Sequence, residues 1–139
     1  MKTAYPALFE WDDADKAYNV SFPDLPGCLT FGETREEAEF MAQDALSGYI
    51  MSVISRGLEF NEPSPFESAV MIEPAPSVSF ALWLRAKRRE SGMTLTEVAD
   101  KLGVKYQVYQ KLENPETANP TLKTMKRLEK VFGVELVGV

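Results

Sequence analysis

Residues Thr94–Glu113, TLTEVADKLGVKYQVYQKLE, read as two short helices crossing at a tight bend. Thr94 can cap the first helix while Glu97, three residues on, reaches back to the capping residue's backbone N–H, a reciprocal capping box. Val98 and Leu102 share one face, and Ala99 is small where another helix must come close. Gly103 supplies the backbone freedom that the bend needs. Val104, Tyr109 and Leu112 carry the apolar stripe into the second helix, which predicts a helix-turn-helix. Away from that stripe stand Lys105, Tyr106, Gln107, Gln110 and Lys111. The amides suit base edges in a major groove, and the ammonium groups suit phosphates. Together with Thr94 these are the expected DNA-binding residues. The alternative is a four-helix bundle with a solvated polar face, because Lys and Gln are ordinary surface residues of helices.

Around this core the run from Phe80 to Leu136 contains LRAKRRESGMTLTEVADKLGV, KLEN and NPTLKTMKRLEKVFGVEL. It resembles the Cro/C1-type (XRE) family of DNA-binding domains over roughly two-fifths of the chain. Two positions depart from that family's usual pattern. Lys105 stands where Ser or Thr is common, which weakens the helix cap. Tyr109 stands where an aliphatic is common, which alters the packing of the recognition helix.

At 139 residues and 45% apolar content the chain can hold one ordinary domain or two small ones. There is no apolar run near ~18 residues and no charged-then-apolar leader, so a soluble cytoplasmic protein without a membrane span is expected. Cys28 is the single cysteine and histidine is absent. An internal disulfide, the usual zinc ligand sets, and Ser-His or Cys-His catalysis are thereby excluded. Cys28 reads as a small packing residue. Residues 1–75 hold 4 basic against 14 acidic side chains, a balance of −10, whereas residues 76–139 hold 11 against 7, a balance of +4. The rear half suits a phosphate backbone, and the front half suits a cationic surface.

Towards the N-terminus, Tyr5–Trp11 and Ala17–Phe22 read as strands joined by the polar turn from Asp12 to Lys16, hence a hairpin. Pro23–Gly27 is a rigid connection, and a third strand is expected over Cys28–Phe31. Thr34 with Glu37 repeats the capping-box spacing. After it, Ala38, Met41, Ala42, Ala45, Leu46, Tyr49, Ile50, Val53 and Ile54 recur at spacings of three and four, which predicts one long amphipathic helix. Residues 57–68 read as loop and Ala69–Ile72 as a fourth strand. The fold class is therefore α+β, a β-β-β-α-β domain over residues 1–74, a stiff linker at 75–78, and an all-α domain over 79–139. In that second domain a first helix runs through Phe80 to Arg89 and stops at Gly92. A last helix, Thr121–Phe132, turns Leu122, Met125, Leu128, Val131 and Phe132 to its apolar side. The tail Val134–Val139 is more β-prone than helical.

The front half carries a second pattern: Pro23, Asp24, Leu25, Pro26, Gly27, then Gly32, Thr34, Glu36, Glu37 and Ala38. Turn, glycine and G-x-T-x-E-E-A helix start resemble the antitoxin family HicB, over nearly all of residues 3–73. The resemblance implies a partial RNase H-like fold that covers the active site of a small basic RNase toxin, HicA. It also implies a C-terminal DNA-binding domain that represses the operon. Glu10, Asp12, Asp13 and Asp24 are the expected toxin-binding residues, with Asp15 crowding the same strand ends, although charged turn residues also serve simply to keep a hairpin soluble. A rival class is a metal-dependent nuclease built on these carboxylates, but Glu10, Asp12 and Asp13 sit near a strand end and Glu36 and Glu37 flank a cap. A third is a ligand-sensing repressor, for which the chain has no Gly-rich phosphate loop or other cofactor signature. No cofactor and no metal are expected. Operator recognition by two helices predicts a homodimer or higher oligomer, paired through the C-terminal domains. The tail Val134–Val139 either contributes to that pairing or completes its own domain's core.

Overall fold

The computed structural model describes residues 3–136, and the chain divides after Pro76 into two compact units. The first has the order β1 (Tyr5–Asp12), β2 (Ala17–Ser21), β3 (Leu29–Gly32), α1 (Arg35–Ser55) and β4 (Val70–Ile72). The strands form one antiparallel sheet in the order β3-β2-β1-β4, registered by Phe9 opposite Val20, Asn19 opposite Phe31 and Pro6 opposite Met71. Pro6 lacks a backbone donor, and its place in a central strand follows from the register. Pairing of β1 with β2 begins only at Leu8, so the side where Pro6 has no N–H is already beyond the end of β2.

α1 lies across one face of this sheet. Ala38, Ala42, Leu46, Ile50 and Val53 are its buried apolar positions, within the stripe that the three-four spacing predicts. Fully burying Leu46 or Ile50 stabilises the unit by roughly 1.5–3 kcal/mol each relative to exposure. Thr34 accepts a hydrogen bond from the Glu37 N–H at 3.0 Å. Only this half of the expected box forms among the described residues, with the Glu37 side chain left exposed. Gly32 explains how closely the helix start approaches β3. A Cβ there would stand 2.4 Å from the Ala38 nitrogen and 2.6 Å from its Cα.

The loop after α1 is tied back to the Pro23–Gly27 connection. Ser64 donates from its N–H (3.0 Å) and its hydroxyl (2.5 Å) to the Asp24 carboxylate, Asn61 Nδ2 donates to the Asp24 carbonyl at 2.9 Å, and the Tyr5 hydroxyl donates to the Asn61 carbonyl at 2.8 Å.

The second unit carries α2 (Pro76–Ser91), α3 (Leu95–Leu102), α4 (Tyr106–Leu112) and α5 (Leu122–Phe132). α2 begins earlier than its periodicity suggests: Pro76, Ser77 and Val78, expected in the linker, form its first turn. Proline suits the first helical position because its missing N–H has no partner there and its φ is already helical. Gly92 ends α2 with φ 71°, and Met93 N–H returns to the Arg88 carbonyl at 3.3 Å. The core gathers Leu84, Val98, Ala99, Leu102, Tyr109, Leu112 and Leu128, with Trp83, Val131, Phe132 and Leu136 packed against it.

Two expectations need correction here. Leu122 is 70% exposed, because it opens α5 a turn before the helix reaches the core. Residues 134–136 are not strand; Leu136 packs on its own domain's core, its N–H held by Glu129 Oε2 at 2.6 Å, and 137–139 lie outside the described residues. No described helix is long and apolar enough to cross a membrane.

Candidate nucleic-acid and protein interfaces

Thr94 caps α3 with both bonds of the reciprocal box: its hydroxyl oxygen accepts from Glu97 N–H at 3.1 Å, and its N–H donates to Glu97 Oε1 at 3.1 Å. The hydroxyl hydrogen is still available to a phosphate. Gly103 turns the chain at φ 77°, and its N–H and that of Val104 close on the Ala99 carbonyl at 2.9 and 3.1 Å. Lys105 is the N-cap of α4 and makes no side-chain cap bond, since an ammonium group has no acceptor to offer the first N–H groups of the helix. On α4, Tyr109 and Leu112 are buried while Tyr106, Gln107, Gln110 and Lys111 are exposed. The fold thus places the expected residues on the outer side of this helix and its cap.

What holds α4 from beneath is a buried polar group that periodicity alone does not reveal. Glu113, 5% exposed at the end of α4, takes Arg88 Nε at 2.7 Å and Arg88 Nη2 at 3.1 Å, and the Tyr109 hydroxyl donates to the same carboxylate. Arg88 Nη1 also reaches the Met93 carbonyl at 3.4 Å. The hydrogen bond to Glu113 holds the Arg88 guanidinium charged, above its ordinary range. Burial, followed by the hydrogen bond to Glu113, pushes the Tyr109 phenol far above its ordinary range. Tyrosine in place of an aliphatic therefore packs its ring in the core and adds a donor to the ion pair. The sequence pattern also passes over Val108. It is 48% exposed on α4 next to Gln107, an apolar residue with no core to fill.

In the first unit the four expected acidic residues do not act alike. Asp12 Oδ1 accepts from the N–H groups of Ala14 (2.9 Å) and Asp15 (3.2 Å), which shapes the hairpin turn. Asp13 pairs with Lys16 at 3.0 Å, both largely exposed, and such a pair contributes little. The Asp24 carboxylate is engaged by Ser64, so it fastens a loop. Glu10 stands exposed on β1. No group of three or more metal-ligating side chains converges among the described residues. Cys28 is buried, its thiol pushed up to about 11 by burial and donating to the Ala45 carbonyl at 3.7 Å, so it is a packing residue.

Comparison with known proteins finds two families along the chain, their matches meeting at Leu84 within α2. Residues 5–84 match the family of HicB-like antitoxins of bacterial toxin-antitoxin systems, and residues 84–139 match a helix-turn-helix family. The chain is 36% identical over 108 residues to "Antitoxin HicB 2" of Photorhabdus laumondii subsp. laumondii, covering 78% of this chain and 76% of that one. It is 37% identical over 103 residues to "Antitoxin HicB 1" of the same organism, covering 74% and 65%. Among solved structures, the N-terminal domain of Burkholderia pseudomallei antitoxin HicB matches at 26% identity and TM-score 0.42, covering 49% of this chain and 91% of that one. A toxin-antitoxin complex from Streptococcus pneumoniae matches at 23% and 0.46, covering 70% and 93%. With a family match over more than half its length and a helix-turn-helix behind it, the chain belongs to the HicB-like antitoxins of bacterial toxin-antitoxin systems.

Proposed function

We propose that this chain masks a small basic HicA-type mRNA-cleaving toxin with its first unit and represses its own operon with its second. One observation carries the reading: a unit of strongly negative balance and a unit of positive balance are joined in one chain, and the second turns Gln107, Gln110 and Lys111 outward on an anchored helix. A carboxylate-rich surface steers a cationic protein and repels RNA, while the exposed helix face offers amides for base edges and ammonium groups for phosphates. Two chains present two such helices to a near-palindromic operator in the cytoplasm. Exposed Leu122 at the start of α5 is an apolar group available to that pairing.

The test is to co-express the full chain with the reading frames that flank its gene. The expected result is a complex with a small basic protein whose growth arrest the chain relieves, and retardation of duplex from upstream of the operon. A chain that captures no neighbour and ignores that duplex at low ionic strength overturns the proposal. Toxin and operator are then linked, since a ligand that favours the DNA-bound assembly must itself be held better there.

A further inference from the structure

Within the first unit the sheet has one face under α1 and one on which that unit places no helix. Which side chains point to each follows from Gly32, whose missing Cβ would collide with the Ala38 backbone of α1. Gly32 and Thr30 therefore face the helix, and Leu29 and Phe31, alternating with them, face away. The register extends this assignment across the sheet. Phe31 lies in one row with Asn19 and Glu10, and Leu29 in the next with Ser21 and Leu8. Met71, paired with Pro6, lies on the same side at the opposite edge of the sheet, where Pro6 itself is fully buried. Leu29 is 68%, Phe31 59% and Met71 52% exposed. β3 is also an edge of the sheet, and it carries none of the lysines or prolines that usually protect an edge strand. Leu29 and Phe31, exposed on the same side of this unprotected edge strand, mark an interaction surface.

We infer that this helix-free face, anchored by Phe31 and Leu29, is where the first unit seats a cationic protein partner; the inference rests on the toxin-masking reading above. Charge selects the occupant. None of the strand residues on this face is Lys or Arg, and Glu10 sits in the Phe31 row with Asp12 two residues further along the same strand. A second copy of the chain would bring two acidic faces together with no cation between them, and a nucleic acid would add phosphates to carboxylates. A basic protein with an apolar lip meets both the aromatic anchor and the acidic rim. Its apolar contact with Phe31 and Leu29 holds the complex, and the carboxylates speed the encounter.

The experiment uses the full chain co-expressed with the protein from the adjacent reading frame, comparing wild type with Phe31→Glu and Leu29→Glu. Phe40→Ser serves as a control for altering an exposed apolar residue of the same unit on α1, away from this face. Phe31→Glu and Leu29→Glu are expected to weaken capture about tenfold or more, with the melting temperature unchanged, while Phe40→Ser leaves capture intact. Hydrogen exchange on the wild-type complex provides a readout free of substitutions, in which the amides of residues 29–32 gain protection on binding. Full-strength capture by Phe31→Glu, or unchanged exchange in β3 within a formed complex, overturns this face while leaving the antitoxin reading standing. A wild-type chain that captures no adjacent protein overturns both.

Discussion

Arg88 and Glu113 meet side by side inside the second unit, Nε to Oε2 at 2.7 Å and Nη2 to Oε1 at 3.1 Å. The pair bridges α2 to the residue that ends α4, and Tyr109, from within α4, donates to the same carboxylate. The helix whose outer side carries Gln107 and Lys111 is thus fixed to α2 as well as to α3. A planar guanidinium matches the two carboxylate oxygens, which a lysine at this position would not.

Removing one partner leaves the other buried without compensation, so Glu113→Ala is expected to destabilise the second unit by ~3–5 kcal/mol. Replacing both, Arg88→Met with Glu113→Leu, is expected to recover most of that loss, since two apolar side chains need no partner. Urea unfolding followed by Trp83 fluorescence in a Trp11→Phe background measures the cycle on this unit alone. A single-variant loss below ~1 kcal/mol would show the pair to be dispensable for stability.

Two glycines of the first unit predict opposite outcomes for the same substitution. Gly32→Ala places a methyl group 2.4 Å from the Ala38 nitrogen, where the obstacle is backbone, and is expected to cost ~2–3 kcal/mol or more. Gly48 lies in α1, where an added methyl group would meet nothing within 4 Å, so Gly48→Ala is expected to stabilise by up to ~1 kcal/mol. Thermal melts of the two variants decide the signs.

Much of this architecture is legible in the sequence because it is local. The Thr94–Glu97 cap, the turn at Gly103 and the stripe from Ala38 to Val53 are each encoded within a few residues of themselves. What periodicity cannot give is which polar side chain crosses the core. Glu113 and Arg88 are 25 residues apart, and Asp24 and Ser64 are 40 apart. Asp24 consequently reads as a free surface charge until the fold brings the loop to it. Pro76 misleads for a different reason: proline breaks helix interiors but suits the first turn, and only the fold shows on which side of the helix start it falls. Val108 is hidden by its polar neighbours, and Phe31 and Leu29 read simply as strand residues until the register shows which face they occupy.

Stability at alkaline pH is expected to depend on two phenols. Burial, then the Asp24, Glu62 and Tyr49 side chains, pushes Tyr5 up to about 12 from an ordinary 10.0. The folded first unit therefore holds that proton more tightly than the unfolded chain. Its contribution is complete below pH 10 and is lost as the pH rises through about 12. Tyr109 acts with the same sign in the second unit. Tyr5→Phe is expected to flatten this alkaline decline at a cost of about 1 kcal/mol at neutral pH, from the lost bond to the Asn61 carbonyl. Unfolding free energies measured at stepped pH, with tyrosinate absorbance recorded in parallel, test this. A Tyr5→Phe variant that declines as steeply as the parent sinks the assignment.

On α4 the predictions separate by chemistry. Gln107→Ala and Gln110→Ala are each expected to cost ~1–3 kcal/mol on the selected duplex and to relax preference at one base pair. Lys105→Ala and Lys111→Ala are expected to weaken all duplexes alike and to lower the slope of log affinity against log salt by about one. Val108, an exposed apolar group between these polar ones, is suited to the 5-methyl of a thymine. Replacing successive thymines of the duplex by deoxyuridine removes one methyl at a time and is expected to weaken the parent chain by ~1 kcal/mol at a single position. At that position the Val108→Ala variant should be indifferent to the replacement, because its side of the contact is already gone. Anisotropy titrations of both proteins on the parent and substituted duplexes supply the full cycle, and equal sensitivity of the two proteins at every thymine would remove Val108 from the reading surface.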